Sequence, residues 1–181
     1  MMKWVVRVVL AGVVIALGIW AWHHFFPNPE TEVRNRLLEL AKAASFSPGE
    51  SPLSKVGAPK AIVDMCTDDI EISIDVQGMQ RATLTGKDDL RFNATIVRAR
   101  LGGLSVEFLD ITVTLTPNKQ GAVANLTAKI KIPSEKEFFP QELKFTLKKV
   151  NGKWLIRKIE TVRTLSLKDP IYLLAVAATH D

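Results

Sequence analysis

Proton transfer, nucleophilic attack and metal binding each need particular side chains, and this chain supplies few of them. Its three histidines are His23, His24 and His180, its one tyrosine is Tyr172, and its one cysteine is Cys66. His23 and His24 border a long apolar stretch and His180 adjoins the C-terminus, so none falls in the middle of the chain, where a folded site would be assembled. Asp69, Glu71 and Asp75 alternate with Ile70, Ile72 and Ile74, which puts the three carboxylates on the strand face opposite the apolar one. Asp64, in a short apolar helical stretch, is the remaining candidate general base. A lone carboxylate without a tuning neighbour is a weak base at neutral pH. A Gly-rich phosphate loop, a His/Cys metal spacing and a nucleophile elbow are all missing from the sequence, so no metal and no cofactor is expected.

Two groups of residues suit binding rather than catalysis. Arg91, Thr95 and Arg98 are spaced i, i+4, i+7 on a helix and form a polar stripe that an anion or an acidic partner would fit, the alternative being a solvated helix face. Met65, Met79, Phe92, Phe108 and Trp154 are candidates for lining an apolar pocket, the alternative being core packing. Cys66 follows Ile62, Val63 and Met65 and reads as a small buried hydrophobe rather than a reactive thiol. Being alone, it cannot form an intramolecular disulfide. Both sequons, at Asn93 and Asn125, fall inside regular elements and are read as chance.

The elements that must position these residues follow from periodicity. Asn28-Pro29-Glu30 is a helix start with a cap, a proline in the first turn and an acid behind it, and Val33, Leu37, Leu40, Ala41 and Ala44 recur on one face. Residues 46–59 carry three prolines, two glycines and three serines, which predicts a loop before a short helix at 60–66. Strands are expected at 69–76 and 80–84, with Gln77-Gly78 turning between them. Thr85-Gly-Lys-Asp88 resembles a capping box opening a third helix, whose apolar face is Leu90, Ala94, Val97 and Leu101, and Gly102-Gly103 ends it. The stretch 104–116 alternates as Leu104, Val106, Phe108 and then shifts phase to Leu109, Ile111, Val113, Leu115. A one-residue slip of that kind marks a β-bulge. Strands at 122–132, 142–150 and 153–162 follow, the last two joined by Asn151-Gly152, a two-residue hairpin signal. The order predicts an α+β domain: three helices from the N-terminal half on a bent, mostly antiparallel sheet of about six strands.

The domain is preceded by an apolar segment. Arg7 is followed by 22 residues without a formal charge, Val8 to Pro29. As a helix, 8–26 would reach about 28 Å, close to a hydrocarbon core of ~30 Å. Trp4 at one end and Trp20 and Trp22 at the other suit the two interfaces, and Lys3 and Arg7 form a basic flank. This predicts a cytoplasmic N-terminus at 1–7, one transmembrane helix at 8–26 in contact with the lipid bilayer, and a domain at 29–165 in the periplasm or outside the cell. A cleaved signal peptide is the alternative. An apolar tail at 166–181, with Ile171 to Ala178 too short to span a bilayer, would pack on the domain or on a partner.

Charge excludes little but points away from nucleic acid. Without Lys3 and Arg7, 22 basic residues face 19 acidic ones, a net charge of +3, and the signs alternate along the chain. Nothing in that pattern is a block able to follow a phosphate backbone.

At this point the chain resembles the nuclear transport factor 2-like superfamily, which includes the SnoaL-like proteins. The resemblance covers roughly Pro29 to Leu165. It rests on the element order, on Leu84-Thr-Gly-Lys-Asp-Asp89 entering the third helix, on the bulged strand from Leu104 to Thr116, and on Gly152-Lys-Trp-Leu-Ile-Arg157. The resemblance implies a cone-shaped domain whose curved sheet wraps the helices around a cavity, with Asp64 at its mouth. Enzymes of the superfamily use cavity-facing Asp, His or Tyr, and it also hosts carrier-binding adaptors and membrane-anchored subunits of secretion machines. The expected function is a membrane-anchored, non-catalytic module of the cell envelope: an adaptor, an assembly subunit with a protein partner, or a binder of a small apolar ligand. The alternative is a membrane-tethered isomerase or dehydratase. The outer sheet face, rich in Thr and Lys, predicts a monomer or a weak dimer.

Overall fold

The computed structural model describes residue 13 and residues 28–75, 82–134 and 138–164. Helix α1, Pro29–Ala44, starts as its sequence dictates: Asn28 Oδ1 accepts the Glu30 N–H at 3.1 Å, satisfying one orphan donor of the first turn. Its periodic face lies in the core, with Val33 and Leu37 fully buried.

Helix α2, Pro52–Asp64, corrects the expected loop and short helix at 60–66. Ser51 Oγ accepts the Ser54 N–H at 3.3 Å and Pro52 takes the first helical position, the same cap-and-proline pair that opens α1. The helix then runs through Gly57 and Pro59. Pro59 cannot donate to the carbonyl of Lys55, but Lys55 is exposed, so that carbonyl is within reach of water. Cys66 belongs not to this helix but to the following strand, β1, Cys66–Ile74.

Strand β2, Ala82–Thr85, extends the expected strand by one residue at its end, while Gln80 and Arg81 lie outside the described residues. Helix α3, Lys87–Arg100, is capped by Gly86 with no side-chain hydrogen bond, so Thr85 makes no capping box. Thr85 is still paired with Glu71 across the sheet, and Gly86, at φ 85°, turns the chain while its N–H donates to the Ile70 carbonyl at 2.8 Å. That backbone conformation suits glycine alone. Of the expected α3 face only Leu90 is buried, and Val97 is exposed.

The remaining strands are β3 Ser105–Leu115, β4 Gly121–Lys131, β5 Phe138–Val150 and β6 Lys153–Thr164. They complete one six-stranded mixed sheet in the order β2-β1-β6-β5-β4-β3, in which β1 and β6 run parallel and the other neighbours antiparallel. The bulge in β3 is present. Its register moves from Leu109 opposite Thr127 to Thr112 opposite Asn125, and Asp110 takes φ 52°. The slip comes one residue later than the sequence suggested, so Leu109 shares the outer face with Thr127 and Ile111 is the first residue of the new inward phase. The β5–β6 turn places Asn151 at φ 50° and Gly152 at φ 78°, the left-handed pair of a type I′ hairpin.

The inner sheet face and the helices meet in one apolar cluster. Val33, Leu37 and Leu40 of α1 pack with Ile70, Leu126, Phe145, Leu147 and Ile156 of the sheet. No helix among the described residues is long and apolar enough to cross a membrane. The expected anchor at 8–26 lies outside the described residues apart from Val13, and so do Gln77-Gly78, Met79 and the tail beyond Thr164.

Candidate functional site

The inner face of the sheet is where this architecture can hold a site, because every strand but β2 presents buried positions there. Those positions are almost wholly apolar. The buried polar side chains among the described residues are Thr67 and Gln141. Gln141 is 4% exposed, and its Nε2 donates to the Asp75 carbonyl at 3.3 Å, linking β5 to the end of β1. Sequence reasoning missed Gln141 because it began the strand at 142. Parity with Leu143, Phe145 and Leu147 is the signal that would have found it.

The candidate residues are dispersed. Asp64, the last residue of α2, is exposed. Met65 is half-buried against the core, and its carbonyl accepts the Ile156 N–H at 2.9 Å. Phe108 is half-buried on the inner face, with its ring tilted against Phe145 at a centroid distance of 5.6 Å. Trp154 is a core residue whose Nε1 donates to Glu32 Oε2 at 2.9 Å. The same carboxylate oxygen pairs with Lys149 Nζ at 2.9 Å. Phe92 stands two-thirds exposed on α3. Packing thus accounts for Met65, Phe108 and Trp154, while Phe92 is left on the surface.

The polar stripe of α3 divides. Arg91 is exposed and Thr95 Oγ1 donates back to the Arg91 carbonyl at 2.8 Å, but Arg98 is turned inward with a side chain 5% exposed. Its guanidinium pairs with Glu50 at 2.7 Å, donates to the Ala43 carbonyl and lies 4.7 Å from the centre of the Phe46 ring. Arg98 therefore clamps α3 to the end of α1 and is engaged in contacts within the chain. Glu50, its partner in a stretch read as loop, was not singled out. The pair lines a groove of about 310 Å³ between the helices, shared with Lys42, Ala58 and Ala61.

A second depression, of about 330 Å³, sits on the outer sheet face beside the bulge, lined by Asp110, Thr112, Asn125, Thr127, Glu142 and Val162. Its two carboxylates are borne by β3 and β5, on either side of β4, Asp110 exposed and Glu142 half-buried. Elsewhere that face carries the expected Lys and Thr, partly neutralised by pairs such as Lys158 with Glu160 at 2.9 Å. Among the described residues no group of His, Cys, Asp and Glu is placed to hold a metal ion.

Two side chains have shifted titration. Burial pushes the Cys66 thiol up to about 11, which keeps it protonated and unreactive at neutral pH. The Asp69 carboxyl is held below its ordinary range, first by the Thr67 hydroxyl and also by Arg157, whose Nε lies 3.2 Å away. Neither group lines the groove or the depression described above.

No protein-family model matches the chain, and no curated protein sequence does. Solved structures do match. A domain of unknown function with a cystatin-like fold from Nostoc punctiforme superposes with a TM-score of 0.60 at 13% identity, over 84% of this chain and 88% of that one. A nuclear transport factor 2-like protein with a cystatin-like fold from Novosphingobium aromaticivorans gives 0.55 at 17% identity, over 95% and 97%. A protein from the same organism, described as a scytalone dehydratase by assignment, gives 0.55 at 15% identity, over 75% and 83%. The likeness establishes the nuclear transport factor 2-like, cystatin-like fold.

Proposed function

We propose that the chain is a membrane-anchored, non-catalytic module whose domain works outside the cytoplasm, as an adaptor, an assembly subunit or a binder of a small apolar ligand in the cell envelope. One observation carries the non-catalytic part: among the described residues, the buried polar side chains are Gln141, on the inner face, and Thr67, and neither is a carboxylate. General acid–base work needs a positioned ionisable group whose pKa is tuned by its surroundings. Anchoring is supported by the 22 uncharged residues after Arg7 and by the tryptophans at both ends of that stretch. The partner is expected to be a protein.

The test has two arms. A reporter fused after Asp181 should be active only on the non-cytoplasmic side, with the intact N-terminus still present in the membrane fraction. Proteins recovered with the full chain from detergent extracts should include a stoichiometric envelope partner. A mature chain beginning near Ile19 would refute the anchor.

The runner-up is a tethered dehydratase or isomerase, favoured by the neighbour described as a scytalone dehydratase. Asp64 is its candidate base. Turnover of a small apolar substrate that disappears in a folded Asp64→Asn protein would establish that reading in place of ours.

A further inference from the structure

The inner face of the sheet is covered unevenly, and the uncovered end is the end from which the C-terminal segment leaves. Along β5, Leu147 and Phe145 are 1% exposed and Leu143 6%, but Phe139, on the same face, is 44% exposed. Its cross-strand neighbour Ile130 is half-buried. Helix α1 ends at this level, where Ser45 and Phe46 pair with Val106 and Leu104 at the start of β3. The helical layer thus stops short of an apolar strip that a water-facing sheet would carry as polar residues.

The last described residue, Thr164, pairs with Gln141, two positions along β5 from Phe139. The chain continues from there as Leu165-Ser-Leu-Lys-Asp-Pro170 and then Ile171 to Ala178, eight residues without a charge. Asp169-Pro170 repeats the cap-and-proline pair that opens both α1 and α2 in this molecule. One further helix start is thereby written into the sequence. An apolar helix of about nine residues is marginal in water by itself and far short of the ~20 residues a bilayer crossing needs, so its apolar surface needs a partner. Six connecting residues reach about 20 Å when extended, ample for the short distance from Thr164 to Phe139.

We infer that Ile171 to Ala178 docks in cis on the uncovered end of the inner sheet face, against Phe139 and Ile130. Any external apolar ligand or partner segment that reaches the inner face from this end then competes with the protein's own tail. This assignment is independent of the anchor and of the non-catalytic reading.

The experiment uses the full chain in detergent micelles with p-benzoylphenylalanine in place of Phe139, an exposed position where the larger ring fits. Irradiation should join Phe139 to the peptide 169–181 within one chain, as shown by mass spectrometry on a mixture of isotopically light and heavy protein. A paired variant, Leu173→Asp with Leu174→Asp, should lower that yield several-fold and raise binding of a fluorescent apolar dye several-fold. Cross-links between light and heavy chains, cross-links to detergent alone, no cross-link, or dye binding unchanged by the paired variant would each overturn the assignment.

Discussion

Arg34 of α1 donates through Nη2 to the carbonyl oxygen of Ile111 at 2.7 Å, across 77 positions of sequence. Ile111 follows the bulge residue Asp110, where the ladder to β4 is interrupted, and its side chain is buried. The arginine thus supplies a donor at a place where the sheet is irregular. Arg34→Met should keep the packing of the side-chain stem and lose this charged hydrogen bond, at a cost of ~1.5–3 kcal/mol. Urea unfolding followed by circular dichroism measures it, and a variant as stable as the parent would show that the bulge does not depend on α1.

The clamp around Arg98 predicts a larger effect. Its pair with Glu50 joins side chains that are 5% and 17% exposed, so removing one partner leaves the other charge poorly solvated. Arg98→Met should destabilise by ~2–4 kcal/mol, and Glu50→Gln by less because an amide oxygen can still accept. In a double-mutant cycle the two losses should combine to well under their sum. Strict additivity would mean that the pair contributes no coupling.

Cys66 predicts a pH dependence with a definite sign. Its thiol rises from 9.0 to about 11 in the folded protein, so between those values the folded chain holds a proton that the unfolded chain has released. Stability from this group is full below about pH 9 and falls as pH climbs toward 11, by about 1.4 kcal/mol per unit. Comparing Cys66→Ala with the parent at pH 8 and pH 10.5 isolates that slope. A thiol reagent should leave the native parent unmodified at pH 7.5 and label it fully in denaturant.

The outer sheet face predicts weak self-association. Lys144, Lys148 and Lys129 stand there among threonines, whereas obligate interfaces are more apolar and poorer in lysine. Sedimentation of the chain from Asn28 onward should give a monomer, or a dimer that weakens with dilution. A tight dimer whose mass does not change with salt would overturn this.

Much of the fold was legible because several signals are local. The cap at Asn28-Pro29, the unbroken alternation through Ile70, Ile72 and Ile74, and the Asn151-Gly152 turn each depend on a few adjacent residues, and each stands in the structure as read. Helix α2 departs from the expected loop because Gly57 and Pro59 disfavour a helix locally, while burial of Pro59 and Val63 outweighs that preference. Strand β5 begins at Phe138, four residues ahead of the expected 142, and includes Pro140, a residue type that disfavours strand interiors. In the structure Pro140 is buried and stands opposite Lys129 of β4, so the strand runs through it. That four-residue error concealed Gln141 and Phe139. The inward turn of Arg98 was beyond any periodicity argument, since its partners Glu50, Ala43 and Phe46 lie 48 to 55 positions away.

The bond from Trp154 and Lys149 to Glu32 has a mechanical meaning. It ties the first turn of α1 to the β5–β6 hairpin, so the chain enters the domain at the hairpin end. Helix α1 then carries it 16 residues, about 24 Å, to the opposite end, where Ser45 meets Val106. A pull applied ahead of Asn28 is therefore borne by the hairpin and passed along the length of the β5–β6 ladder. The apolar strip at Phe139 lies at the far end of that lever, a helix length away from where such a pull enters.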